Sequence, residues 1–192
     1  SRDPDLSIVV TAYQWKWHYK YQDEGIEFFS SLARPSVDAR RLDSGTDVNS
    51  VENYLLEVDR PVVVPVGAKV RLLLTSNDVI HSWWVPDLAI KKDAIPGMVN
   101  ETWFRAEEVG TYRGQCTELC GKDHGYMPVV VEVVEHRHAE LRIVEAPIHS
   151  GVAGLRSVVR SGRLVAGGAR PTARQKGLAA ADCWHFAAGR DA

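Results

Sequence analysis

Val9, Thr11, Tyr13, Trp15, Trp17, Tyr19 and Tyr21 recur at every second position, with Gln14, Lys16, His18 and Lys20 between them. A helix would scatter these side chains around its axis, whereas an extended chain places alternate residues on one side. The segment from Val9 to Tyr21 therefore predicts a strand with one aromatic face and one wet face.

Further runs rich in β-branched residues follow at short spacing: Tyr54–Val58, Val62–Val66, Lys69–Thr75, Met98–Arg105, Gly110–Gln115 and Met127–Val134. Pro61, Pro65, Gly67, Asn77-Asp78, Pro96-Gly97 and Gly110 punctuate them. No amphipathic helical pattern intervenes, so the sequence predicts an all-β Greek-key sandwich or barrel. Residues 22–53 are polar and carry Gly25, Pro35 and Gly45. They read as a long surface connection with at most short structure near Ile26 to Leu32.

The chain has 192 residues, 45% hydrophobic and 25% charged, which is an ordinary globular composition. Its charge is uneven: residues 1–135 carry 21 Asp and Glu against 14 Lys and Arg, while residues 136–192 carry 4 against 9. The acidic first part argues against a nucleic-acid partner and favours a basic one. Residues 1–135 are expected to form the folded domain. Residues 136–192, rich in Ala, Arg and Gly, are expected to be a tail of low structure with at most a short helix around Arg137 to Val144. No stretch reaches the roughly 18 apolar residues of a membrane helix.

Cys116, Cys120, His124 and Met127 form C-x3-C-x3-H-x2-M in a segment, Gly114 to Pro128, that links two predicted strands. Thiolates, imidazole and thioether together are the donors copper prefers, because polarisable sulfur suits Cu(I) and nitrogen supports Cu(II). Structural zinc sites close with Cys and His and rarely use a thioether. A Cys116–Cys120 disulfide is sterically feasible but would close a very small loop and stabilise little. One more nitrogen is needed, and His81 is the best donor, since it follows the run Lys69–Thr75 and precedes the bulky Ser82-Trp83-Trp84-Val85-Pro86. A mononuclear blue-copper site uses one Cys, two His and a weak Met. The second thiolate therefore suggests two coppers bridged by two sulfurs, with Met127 and a loop carbonyl such as that of Glu118 as weak axial donors.

Several stretches together resemble a known family: Tyr13-Gln14-Trp15-Lys16-Trp17, Leu56-Glu57-Val58-Asp59, Asn77-Asp78-Val79-Ile80-His81-Ser82-Trp83, Asp93-Ala94-Ile95-Pro96-Gly97, and Gly114 through His124. Residues 7–135 are similar to the soluble copper domain of subunit II of bacterial haem-copper cytochrome c oxidases. The resemblance implies a cupredoxin fold holding the dinuclear CuA centre, with His81, Cys116, Cys120, His124 and Met127 as side-chain ligands and Glu118 as carbonyl ligand. It further implies a Glu118 carboxylate reaching a Mg2+ ion at the boundary with subunit I, electron entry at Trp15, and docking of cytochrome c at Asp59 and Asp78.

On this reading the chain is an electron-transfer subunit of a proton-translocating oxidase. It takes electrons from cytochrome c and passes them to haem in subunit I, in a complex that also holds subunit III. Family members begin with a membrane helix hairpin ahead of the first strand seen here, so the sequence is expected to be a soluble fragment from the periplasmic face of a bacterial inner membrane.

The copper domain of nitrous oxide reductase shares the loop spacing but has Trp where this chain has Glu118. A copper carrier would release metal without fast electron exchange, and a quinol-oxidase subunit would have lost the ligands retained here. Cys183-Trp184-His185 lacks the C-x-x-C-H of haem attachment, so no fused cytochrome domain is expected.

Overall fold

The computed structural model describes residues 3–136 together with His138 and Ala139. Ten strands build two five-stranded sheets. The first sheet contains β1 (Leu6–Tyr13), β2 (Lys16–Tyr21), β3 (Ile26–Ser30), β5 (Lys69–Ser76) and β8 (Asn100–Arg105), in the spatial order β3-β2-β1-β5-β8. The second contains β4 (Val62–Pro65), β6 (His81–Val85), β7 (Ile90–Ala94), β9 (Gly110–Cys116) and β10 (Pro128–Val134), in the order β4-β10-β9-β6-β7. Only β1–β5 and β4–β10 pair in parallel. The all-β sandwich expected from the sequence is present, and helix among the described residues is limited to α1 (Arg34–Ala39), three single 3-10 turns and a helical turn at His136, His138 and Ala139.

The aromatic segment departs from expectation. It is a hairpin, not one strand: Tyr13 pairs with Lys16, and Gln14 and Trp15, joined by a cis peptide, form the turn. A two-residue turn shifts the buried parity by one. Ile8, Val10 and Ala12 face the core on β1, whereas Trp17, Tyr19 and Tyr21 do so on β2. Tyr13 stays on the outer face against Phe29, and Trp15, half-buried, packs against the core from the turn.

Other runs fall close to expectation, with three differences. Tyr54–Val58 makes only an isolated bridge, Leu32 to Val58. Strand β7, with Lys91, Lys92 and Asp93 in its middle, was hidden by charges that an edge strand tolerates because one face meets water. The 22–53 excursion contains β3, as expected near Ile26 to Leu32, and also α1, whose Pro35 occupies the first turn, where the missing N–H costs nothing. Glu135 starts a helical turn by accepting the amides of His138 and Ala139. The rest of the expected helix at 137–144 and the expected tail lie outside the described residues.

The core lies between the sheets. Trp17, Tyr19, Leu72, Leu74 and Phe104 from the first meet Trp83, Val85, Val129, Val131 and Val133 from the second. Each large apolar side chain so buried contributes roughly 1.5–3 kcal/mol. The Trp83 indole donates to Tyr19 Oη at 3.1 Å, whereas the buried Trp17 indole N–H has no partner among the described residues. The Tyr21 hydroxyl donates to the Val63 carbonyl and accepts from the Val63 amide, both at 2.9 Å, binding β2 to the edge strand of the other sheet.

Two features bring the functional end together. Gly114 lets β9 lie tight against β6: a Cβ there would sit 1.7 Å from the Trp84 carbonyl oxygen. The turn 14–15, the end of β5, the start of β6, the end of β9 and the start of β10 all converge on one rim, where the Ala12 carbonyl accepts the Asn77 amide and the Met127 carbonyl accepts the Cys116 amide.

Candidate metal centre

Cys116 ends β9, His81 begins β6, and Cys120 and His124 lie on the connection to β10. Pairing of Trp83 with Cys116 fixes the two strands in register, so His81 and Cys116 face one space although 35 residues separate them. Both thiols are free and buried. Their sulfurs are 3.8 Å apart. Cys116 Sγ lies 3.9 Å from His81 Nδ1, and Cys120 Sγ lies 3.5 Å from His124 Nδ1. The donor atoms of His81, Cys116 and Cys120 are all within 4.8 Å of one another, and His124 Nδ1 lies beside Cys120 Sγ.

These spacings suit shared ions. Metal bonds of about 2.0 Å to imidazole nitrogen and about 2.3 Å to thiolate allow neighbouring donors 3.5–3.9 Å apart to touch one ion between them. The Glu118 carbonyl oxygen lies 3.4 Å from Cys116 Sγ, while the Glu118 carboxylate is in solvent. Met127 is 1% exposed and adjoins Cys116 through the backbone hydrogen bond of 3.0 Å. His81, Cys116, Cys120, His124 and the Glu118 carbonyl thus lie together at one rim, and Met127 adjoins them through its backbone.

The electrostatics prepare a thiolate. Burial opposes charge on Cys116, but hydrogen bonds from His81 and from the Ser82 backbone outweigh it and draw its pKa down to about 7. Burial, and then the negative charge of Cys116, push Cys120 up to about 12. Two adjacent sulfurs cannot both ionise cheaply without a cation between them.

Burial likewise disfavours a charged His81, yet Cys116 on one ring nitrogen and Asp78 on the other raise its pKa above the ordinary value. Asp78 Oδ1 lies 2.8 Å from His81 Nε2. A carboxylate only accepts, so Nε2 carries a proton toward Asp78, while Nδ1 faces the Cys116 sulfur. Trp17 packs edge-on against the same ring, with centroids 6.1 Å apart.

Sequence reasoning did not assign Gln14 and Gly121 to this rim, nor give Trp15 and Asp78 a part in holding it. Gln14 donates its backbone N–H to Asp78 Oδ2 at 2.7 Å and its side-chain amide to the Cys120 carbonyl at 2.8 Å. Trp15 donates its indole N–H to the same carbonyl at 3.2 Å. Gly121 has a φ of +119° and lies so close that a Cβ would stand 3.1 Å from both Gln14 Nε2 and Trp15 Cζ2. Asp59 is exposed, with Oδ1 accepting the Ser31 amide at 2.7 Å. Asp78 spends both carboxylate oxygens inside the rim, Oδ1 also accepting the Val79 amide.

A two-sheet Greek-key sandwich carrying two thiols and two imidazoles at one rim defines a cupredoxin-like domain with a soft-metal site. Residues 6–134 match the family model described as cytochrome C oxidase subunit II, periplasmic domain. The chain belongs to that family.

A probable cytochrome c oxidase subunit 2 of Rickettsia bellii is 47% identical over 133 residues, covering 69% of this chain and 46% of that protein. Cytochrome c oxidase subunit 2 of Cereibacter sphaeroides is 42% identical over 143 residues, again covering 69% of this chain and 46% of that protein. The chain thus spans under half the length of these relatives.

Among solved structures, the periplasmic domain of subunit II of cytochrome oxidase (CoxB) of Bradyrhizobium japonicum is 40% identical, with a TM-score of 0.64 over 74% of this chain and 93% of that one. A mixed disulfide intermediate between the thioredoxin-like TlpAs and subunit II of cytochrome c oxidase is 39% identical, with a TM-score of 0.60 over 75% of this chain and 92% of that one.

Proposed function

We propose that this domain, residues 1–135, holds two copper ions as a CuA centre and relays single electrons from cytochrome c to haem in oxidase subunit I, where oxygen is reduced. The observation that supports this most is the N–S–S–N line of His81, Cys116, Cys120 and His124, spaced 3.9, 3.8 and 3.5 Å. Two adjacent sulfurs flanked by imidazoles suit a pair of copper ions, which His81, Cys116, Cys120 and His124 would hold, with Met127 and the Glu118 carbonyl as further weak donors. Bound copper supplies reversible one-electron chemistry.

The chain's own part is to hold the donors still. Cys116 is fixed by the β9–β10 ladder, His81 by β6 and Asp78, and the Cys120 carbonyl by Gln14 and Trp15. Rigid donors move little between redox states, which keeps the barrier to electron transfer low. Buried Trp17 and Trp83 help exclude water. Trp15, half-buried and hydrogen-bonded to the ligand loop, is the entry point for the electron.

Asp59, Asp78 and the acidic surface steer a basic cytochrome c. The exposed Glu118 carboxylate faces outward and serves a Mg2+ ion shared with subunit I. The same oxidase holds subunit III, and the domain works at the periplasmic face of a bacterial inner membrane, anchored by a helix hairpin. It carries electrons and by itself reduces no oxygen.

The structural neighbour joined to a thioredoxin-like protein supports a second partner, a dithiol reductant. Dissolved oxygen, taking up two electrons and two protons, would join Cys116 to Cys120, whose sulfurs are 3.8 Å apart, and exchange with the dithiol would return two thiols here and leave the disulfide on the reductant. Thiol titration of air-oxidised protein before and after such a dithiol protein checks this: two thiols should reappear per chain.

The electron-relay reading is tested by mixing copper-loaded, oxidised domain with reduced cytochrome c in a stopped-flow instrument. Second-order oxidation of the cytochrome is expected. No electron exchange at any ionic strength would overturn it.

A further inference from the structure

We infer that Arg40 is a positioning residue for the metal loop, and that the polar 22–53 excursion is a strap holding the His124–Tyr126 turn in place. The inference rests on the metal reading above.

Arg40 caps the C-terminus of α1, where its amide donates to the Ser36 carbonyl at 3.0 Å. Its guanidinium reaches across 83 residues of sequence to Asp123, with Nη1 to Oδ1 at 3.3 Å and Nη2 to Oδ2 at 3.5 Å. The same planar group lies 4.0 Å from the centroid of the Tyr126 ring. Asp123 and Tyr126 are the two ends of the turn that displays His124 and leads directly into Met127. One cation thus grips both ends of the segment bearing two of the donors. Both charged partners are about three-quarters shielded, with exposures of 28% and 26%, so the pair is screened less than a surface bridge. A planar fork is required for this double contact, since lysine offers a point charge and cannot both stack and bind side-on.

The strap is itself anchored. Ser31 and Ala33 exchange backbone bonds with Asp59 and Glu57, the Leu55 amide donates to Ser36 Oγ, and Arg113 of β9 reaches Glu57 at 2.7 Å. Strain or slack at α1 therefore cannot simply be absorbed by a free loop. His81 is held by a different residue, Asp78, at 2.8 Å. Arg40 should consequently govern the His124–Met127 half of the site and leave the His81 half alone.

The test uses Arg40→Leu and Tyr126→Leu, with Arg34→Leu as control, because Arg34 pairs only with Asp38 on the exposed face of the same helix. In metal-free protein, amide exchange over residues 123–127 should quicken in both test variants, with residues 81–85 unchanged. In copper-loaded protein, release to excess chelator should quicken about tenfold or more, the range seen when a group supporting a ligand is removed. The copper hyperfine pattern should shift in both, and the control should match the parent in every readout. Unchanged exchange at 123–127 would overturn the strap, as would equal acceleration at 81–85. A parent that takes up no copper pair would instead overturn the metal reading, and the exchange result would still decide whether Arg40 clamps the turn.

Discussion

The Trp15 indole donates to the Cys120 carbonyl at 3.2 Å, joining the turn of the first hairpin to the backbone of the second thiol residue. The contact makes an aromatic ring at the rim a neighbour of the metal loop without making it a ligand. Gln14 donates to the same carbonyl, so the loop keeps one of its two bonds when the indole is lost.

Trp15→Phe should therefore lose about 1 kcal/mol of stability for one hydrogen bond, keep its copper spectrum, and slow electron entry from cytochrome c. Stopped-flow oxidation of the cytochrome measures the last. Loss of copper together with the rate would return Trp15 to a packing role.

Asp78→Asn separates two roles of one carboxylate. If Asp78 chiefly holds His81, copper affinity should fall about 10–100-fold, as for other groups that orient a metal-bound imidazole. Chelator competition measures it. If docking dominates, affinity should hold while the salt dependence of electron transfer flattens.

Gly121→Ala should cost about 1 kcal/mol or more, since its φ of +119° is unfavourable for a side chain and the new methyl would press on Gln14 and Trp15. Denaturant titration of the metal-free protein checks this. An unchanged midpoint would mean the turn and the loop do not pack as described.

How far these features were legible depends on sequence distance. The two Cys, His124 and Met127 lie within twelve positions, and the alternation of β-branched residues needs only nearest neighbours, so the Cys/His cluster and the fold class were both legible. The hairpin was not, because Gln14 and Trp15 resemble strand residues and carry no Gly or Pro to mark a turn. Nor were the holders of the site: Gln14 reaches Asp78 across 64 residues and Cys120 across 106, and Arg40 reaches Asp123 across 83. Gly121 alone carried a local signal, being a glycine directly after a donor.

Alkaline pH should loosen the fold through Tyr19 and Tyr21. Burial raises both phenols above their ordinary value of 10.0, so below pH 10 both states are protonated and their contribution is fully present. As pH climbs past 10 the unfolded chain ionises first, and stability is lost. Tyr21→Phe should shallow that loss, and at neutral pH it should cost about 1–3 kcal/mol by stranding the Val63 amide and carbonyl. Denaturant midpoints from pH 7 to 11 record both effects.

Acidic steering predicts that electron transfer from cytochrome c weakens as salt rises, because exposed charges are screened over roughly 8 Å at physiological ionic strength. Rates across a salt series measure this. A flat response would remove Asp59 and the acidic surface from the docking scheme.

The shared-thiolate pair is tested most directly by electron paramagnetic resonance on copper-reconstituted protein with metal content determined on the same sample. Two coppers per chain sharing one unpaired electron should give a seven-line hyperfine pattern. One copper per chain with a four-line pattern would contradict the dinuclear centre.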